Sequence, residues 1–142
     1  MTELPVYATG LFIAALLALI FGLRDKARRG QFWRVAAIIV ANWCAAAVFV
    51  WQTHDYDPWE FNLFIDSIAM LVVLWHPAGR AQVLIGLFYI CQMLAHSVYG
   101  SRELLGYTNN AIFYYDFLTF IAWGQLLVLG DWSSGGKIAA AA

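Results

Sequence analysis

Three ionisable residues sit inside otherwise apolar surroundings: Asp66 in EFNLFIDSIAMLVVL, His96 in YICQMLAHSVYG and Asp116 in IFYYDFLTFIAW. A charge at mid-membrane costs about 2.5–3.5 kcal/mol on insertion scales, so such a group faces protein or water and marks function. Carboxyl and imidazole groups at one depth have three uses. They hydrogen-bond helices to one another, they line a path for protons, cations or water, or they hold a metal, haem or quinone.

The residues around His96 strengthen this layer. Gln82, Gly86, Tyr89, Gln92, His96 and Tyr99 recur at steps of three and four and share one side of a helix. A polar stripe of that length must face other helices or a wet path rather than lipid. Asn62 lies one turn before Asp66, with Ser67 beside it, and Asn42 from the preceding stretch reaches the same layer. Thr119 follows Asp116 by three residues, while Gln125 lies deeper and on a different side of that helix. The candidate cluster is therefore Asp66, His96, Asp116, Gln92, Asn62, Asn42, Tyr89 and Tyr99.

Composition says which solvent these residues meet. Of 142 residues, 63% are hydrophobic, 17% aromatic and only 12% charged, against about 25% charged in a soluble domain. The mean hydropathy is +0.68. Eight basic against nine acidic residues give a net charge of -1, so no field points to nucleic acid. The expectation is a single integral membrane domain over residues 1–142, in contact with the lipid bilayer.

Five apolar stretches emerge between charges and Pro/Gly turns: Val6–Leu23, Val35–Trp51, Trp59–Trp75, Gln82–Tyr99 and Ala111–Leu129. They span roughly 25–29 Å as helices, close to the hydrocarbon thickness of about 30 Å. The third is the weakest, because it opens on Trp59-Glu60, and four spans with a re-entrant third segment is the alternative. Basic residues set the orientation. Arg24, Lys26, Arg28, Arg29 and Arg34 oppose only Asp25 after the first stretch, whereas the next loop holds Asp55, Asp57 and Glu60 without Lys or Arg. With the N-terminus outside, seven of the eight basic residues, Arg80 among them, lie on the inner side. Trp33, Trp51, Trp59, Trp75, Tyr99, Tyr107 and Trp132 fall near span ends, as interfacial belts require. The first stretch is preceded by an acidic segment and followed by the basic cluster, the reverse of a cleavable signal.

Packing signals are also present. Gly10, Ala14, Ala18 and Gly22 place a small residue at every fourth position of the first stretch, and Ala37, Ala41 and Ala45 do so in the second. Such ladders let membrane helices approach closely. His76 to Ala81 is short enough to force the third and fourth stretches into an antiparallel hairpin, and residues 130–142 read as a flexible inner tail.

Other chemistries are thinly supported. No pair of ligands stands at metal-binding spacing, His76 lies on the wrong side to join His54 and His96 around a haem, and no cofactor is expected. Cys44 and Cys91 read as small buried hydrophobes. His96-Ser97 and Asp66-Ser67 contain the letters of a triad, but helix neighbours point about 100° apart, and no Gly-x-Ser-x-Gly occurs. A non-enzymatic, all-α, five-span bundle in the cell membrane is expected. Its function reads as an oligomeric channel or pore, a holin-like lytic role included. The alternative is a non-catalytic accessory subunit of a larger membrane complex.

Overall fold

A computed structural model describes residues 26–54, 58–77, 79–107 and 111–133, with side chains from Arg29 onward. The first apolar stretch, with Gly10, Ala14, Ala18 and Gly22, lies outside the described residues, as do Arg24 and the tail 134–142; so do the side chains of Lys26 and Arg28. Among the described residues there are four helices and no strand: α1 (Lys26–Thr53), α2 (Trp59–Leu74), α3 (Arg80–Leu104) and α4 (Ala111–Ser133). α3 packs between α2 and α4, α1 lies against α2, and a lighter contact of α1 with α4 closes the ring. Three of the helices are long and apolar enough to cross a membrane: α1 from Arg29, α3 and α4.

The expected count of five spans is therefore supported at three. α2 has 16 residues, which is about 24 Å of helix, too short on its own to match the other three. It is nonetheless one unbroken helix and not a pair of half-helices. Two helix ends also differ from the sequence expectation. α1 is already helical at Lys26, inside the expected basic loop, because Lys, Ala and Arg are good helix formers and a charge that stops a span does not stop a helix. α4 continues through Gly130 to Ser133, where a flexible tail was expected. Trp132 holds it there: its ring is buried edge-on against Phe32 at 5.7 Å. The Ser133 hydroxyl turns back to the Gly130 carbonyl at 2.8 Å.

The bundle has two tiers. At the end where α1 and α3 begin, Phe32, Val35 and Ile39 of α1 meet Val73 of α2, Ile85 of α3 and Leu129 of α4, all buried. This tier is mainly apolar. Arg34 clamps its rim by donating from Nη2 to the Trp75 carbonyl at 2.7 Å, a basic side chain on the last carbonyls of α2. Arg29 and Arg80 are exposed at the same end. The other tier, where α2 and α4 begin, holds the buried polar residues. There Phe49 stacks on Phe61 at 4.1 Å, joining α1 to α2.

Glycines set the close approaches. A Cβ on Gly86 would run into Leu74, and one on Gly124 would come within 2.6 Å of Phe88. By contrast, the alanine ladder of α1 does not pack within the described bundle: Ala37 and Ala41 are exposed and Ala45 is half-buried. The ladder sits on the side of α1 away from Val35 and Ile39, which are the residues turned to the core.

α3 ends on a Schellman turn. Tyr107 N–H donates to the Arg102 carbonyl and Gly106 N–H to the Glu103 carbonyl, both at 2.9 Å, with Gly106 at φ 74. A Cβ there meets nothing within 4 Å, so strain alone opposes substitution. Gly106→Ala is expected to lower stability by about 1 kcal/mol, read as a shift in reversible unfolding in detergent.

Candidate functional site

Four helices converge on one carboxyl group. Asp66 sits about two turns into α2, on the face that also carries the buried Ala69 and Val73. Asn42 of α1 donates from Nδ2 to Asp66 Oδ1 at 2.8 Å. His96 of α3 lies with Nε2 at 3.1 Å from Asp66 Oδ2, and its Nδ1 faces the hydroxyl of Tyr114 from α4. Asp66, His96 and Tyr114 are all buried. Where the Asp66 carboxyl is the acceptor, Nε2–H donates to Oδ2, and a neutral imidazole then leaves Nδ1 to accept from the Tyr114 hydroxyl. Tyr99 stacks on the Tyr114 ring at 4.1 Å and fixes it from the same helix as His96.

A second polar pair lies one turn further into the bundle. Gln125 of α4 donates from Nε2 to Gln92 Oε1 at 3.1 Å, with both side chains buried. Tyr89, fully buried on the same stripe of α3, leaves its hydroxyl without a protein partner, as do Asn62 Oδ1 and Gln125 Oε1. Buried polar atoms of this kind are normally satisfied by internal water. Gln82 ends the stripe at the apolar tier, donating to the Val73 carbonyl.

The sequence stripe of α3 is thus inside the bundle: Gln82, Gly86, Tyr89, Gln92, His96 and Tyr99 are all buried. Asp66 and His96 meet, Asn42 joins them, and Asn62 lies half-buried one turn away. Asp116 does not. It is exposed on the far side of α4 and makes no hydrogen bond or ion pair to a described residue. Tyr114 takes the inward position instead, and two residues further along a helix the side chain has turned by about 200°. The same geometry brings Gln125 inward, opposite to its expected side, since nine residues from Asp116 is about half a turn away. Tyr114 and Gln125 are the two site residues the sequence reading missed. A charge drew attention to the wrong face of α4, where the inward face carries Tyr114, Ile121, Gln125 and Leu129.

Cys44 and Cys91 are free thiols, and both are exposed rather than buried. No group of three or more His, Cys, Asp or Glu side chains gathers among the described residues in a way that would hold a metal ion. The chemistry available at the layer is hydrogen bonding and proton exchange. Tyr114→Phe retains the stack on Tyr99 and removes one hydrogen bond, so a loss of about 0.5–1.5 kcal/mol is expected. Thermal unfolding in detergent, with the Tyr114→Phe near-ultraviolet signal as a packing control, checks it.

The fold and the site together define a class: a small chain, helical throughout its described elements, with three helices long and apolar enough to cross a membrane and a buried ionisable layer. Comparison with protein-family models, with curated proteins and with solved structures returned no match.

Proposed function

We propose that this chain is a non-enzymatic, multi-pass protein of the cell membrane that acts as a channel for protons. The first apolar stretch and α2 add to the three long helices for five spans, with the N-terminus outside. α2 supports this reading because short connections at its opposite ends require it to run the depth of the bundle. In this orientation the basic end is the inner one and the polar tier lies in the outer half of the bilayer.

The observation that carries the proposal is the Tyr114–His96–Asp66 chain, buried and contributed by three helices. A proton arriving at the Tyr114 oxygen lets Tyr114 pass its own proton to His96 Nδ1. His96 then passes the Nε2 proton to Asp66 Oδ2. The net result is one proton moved across the imidazole, with the histidine left neutral as the other tautomer. Gln92, Gln125 and the unpartnered Tyr89 hydroxyl continue the polar groups inward, and from His96 to Gln82 the stripe covers about 21 Å. A packed stripe of this kind suits proton hopping through hydrogen bonds and water. A hydrated cation or a holin-like lumen needs the polar face of α3 turned to an open axis.

The second reading, an accessory subunit, is favoured by the closure of Asn42, Asp66, His96 and Tyr114 on one another, which alone would tie the four helices together. Vesicles separate the two. Purified chain in liposomes under a valinomycin-clamped potassium gradient is expected to change the pH inside, while sodium and entrapped calcein are retained. Calcein release would favour the wide pore, and no flux of any species would leave the accessory role.

A further inference from the structure

One end of the bundle carries positive charge with no acid beside it on the same helices. From Lys26 to His54 the chain has no Asp or Glu, and neither has Ser67 to Arg102, so α1 and the α2–α3 turn present cations alone. Arg34 and Arg80 stand at this end, and neither forms an ion pair with a described residue. Asp131, the acid at the matching end of α4, is already engaged, as is Arg29.

The fold brings both cations to the end of α2. Arg34 Nη2 donates to the Trp75 carbonyl at 2.7 Å, at the exposed rim. That bond takes one of five N–H donors and neutralises no charge. Past Trp75 the chain reverses at His76, which takes a left-handed φ of 52, and α3 opens on Arg80. The Arg80 side chain is exposed and has no partner among the described residues. α2 and α3 are antiparallel neighbours, so Arg80 returns to the height of Trp75.

The surroundings give the depth and the ligand class. Trp75 is 67% and Trp33 40% exposed, as rings at a membrane interface are. On the membrane side of them, Leu71 and Val72 of α2 and Val83 and Leu87 of α3 are exposed and apolar. A ligand that meets both levels has an anionic group at the guanidinium groups and hydrocarbon below it. Guanidinium forks suit phosphate, and basic pockets between membrane helices on the inner side take anionic headgroups.

We propose that Arg34 and Arg80 hold the phosphate of an anionic phospholipid, whose acyl chains lie along Leu71, Val72, Val83 and Leu87. The site rests on the membrane-spanning reading and is independent of proton conduction.

Native mass spectrometry of the chain released from detergent, after incubation with equimolar phosphatidylglycerol and phosphatidylcholine, supplies the test. Wild type is expected to retain one lipid, with phosphatidylglycerol strongly preferred. Arg80→Gln is expected to lower that preference about fivefold, the weight of one basic residue at an anionic surface. Arg34→Gln, which can still donate to the Trp75 carbonyl, is expected to do the same, and Arg34→Lys to keep most of the preference. Helical circular dichroism in the same detergent checks the fold of each variant. Arg102→Gln removes a cation from the opposite end and is expected to change nothing. Equal retention of the two lipids, no loss in Arg80→Gln, or an equal loss in Arg102→Gln would overturn the site. Displacement of the lipid by millimolar inorganic phosphate would overturn it too, because the ligand would then be a soluble anion. Failure of the wild-type chain to float with liposomes would count against the membrane reading instead.

Discussion

Asp66→Ala is expected to lower the stability of the bundle by about 2–4 kcal/mol, more than any other single truncation in the polar tier. The change leaves two donors without an acceptor, the Asn42 amide and His96 Nε2–H. Each unsatisfied buried donor costs about 1–3 kcal/mol, and Asn42 is only partly buried, which sets the lower part of that range for it. The hydrogen bonds themselves are worth less, about 0.6 kcal/mol each between membrane helices, because a loosened bundle finds other partners. Asp66→Asn is therefore the informative contrast. Its amide oxygen still accepts from Asn42, its shape is unchanged, and its amide NH2 is met by His96 as the tautomer whose Nε2 accepts, so a stability loss of about 1 kcal/mol is expected. Its capacity to take up a proton is gone. Unfolding of both variants in the same detergent checks the difference. A loss for Asp66→Asn as large as that for Asp66→Ala would show that the carboxylate's charge holds the tier together.

Gly100→Ala has the second largest expected effect, about 1–3 kcal/mol of overpacking. Gly100 is buried on α3, and a Cβ placed on it would penetrate the six-membered ring of Trp59 at the start of α2. The indole is half-buried and the first residue of its helix, so it yields only by lifting the α2 end away from α3. That displacement is transmitted along α2 toward Asp66, two turns further on, and the Asp66–His96 distance should open with it. Trp59→Leu combined with Gly100→Ala restores space, and the pair is expected to be more stable than the sum of the two single losses. Additive losses in the double-mutant cycle would mean that the glycine serves something other than this contact.

How much of this was legible in the sequence divides along a physical line. The stripe of α3 could be read because six polar or small residues keep helical step over its length, and lipid excludes any outward placement for them. Asp66 could be read because it lies in the run Leu63–Leu74, which is apolar apart from Ser67. α4 resisted the same reasoning. It is apolar on nearly every side, so no periodicity orients it, and depth alone makes Asp116, the carboxyl within its apolar stretch, a candidate for the interior. The fold instead turns Tyr114 and Gln125 to the core and leaves Asp116 outside, near enough to the helix start to reach the membrane surface or a partner. Helix runs past the expected span limits in α1 and α4 for a related reason. Charges and glycines mark where a chain leaves lipid, whereas a helix continues while its backbone bonds and packing continue, as the Phe32–Trp132 contact shows.

Conduction through the buried layer is tested most directly by proton flux in liposomes carrying wild-type chain or Asp66→Asn at equal density, each confirmed as folded by its helical circular dichroism. The expected result is proton flux in wild type and flux at the level of empty vesicles for Asp66→Asn. Equal flux from the two proteins would contradict a path through Asp66 and leave the carboxyl as a tie between helices.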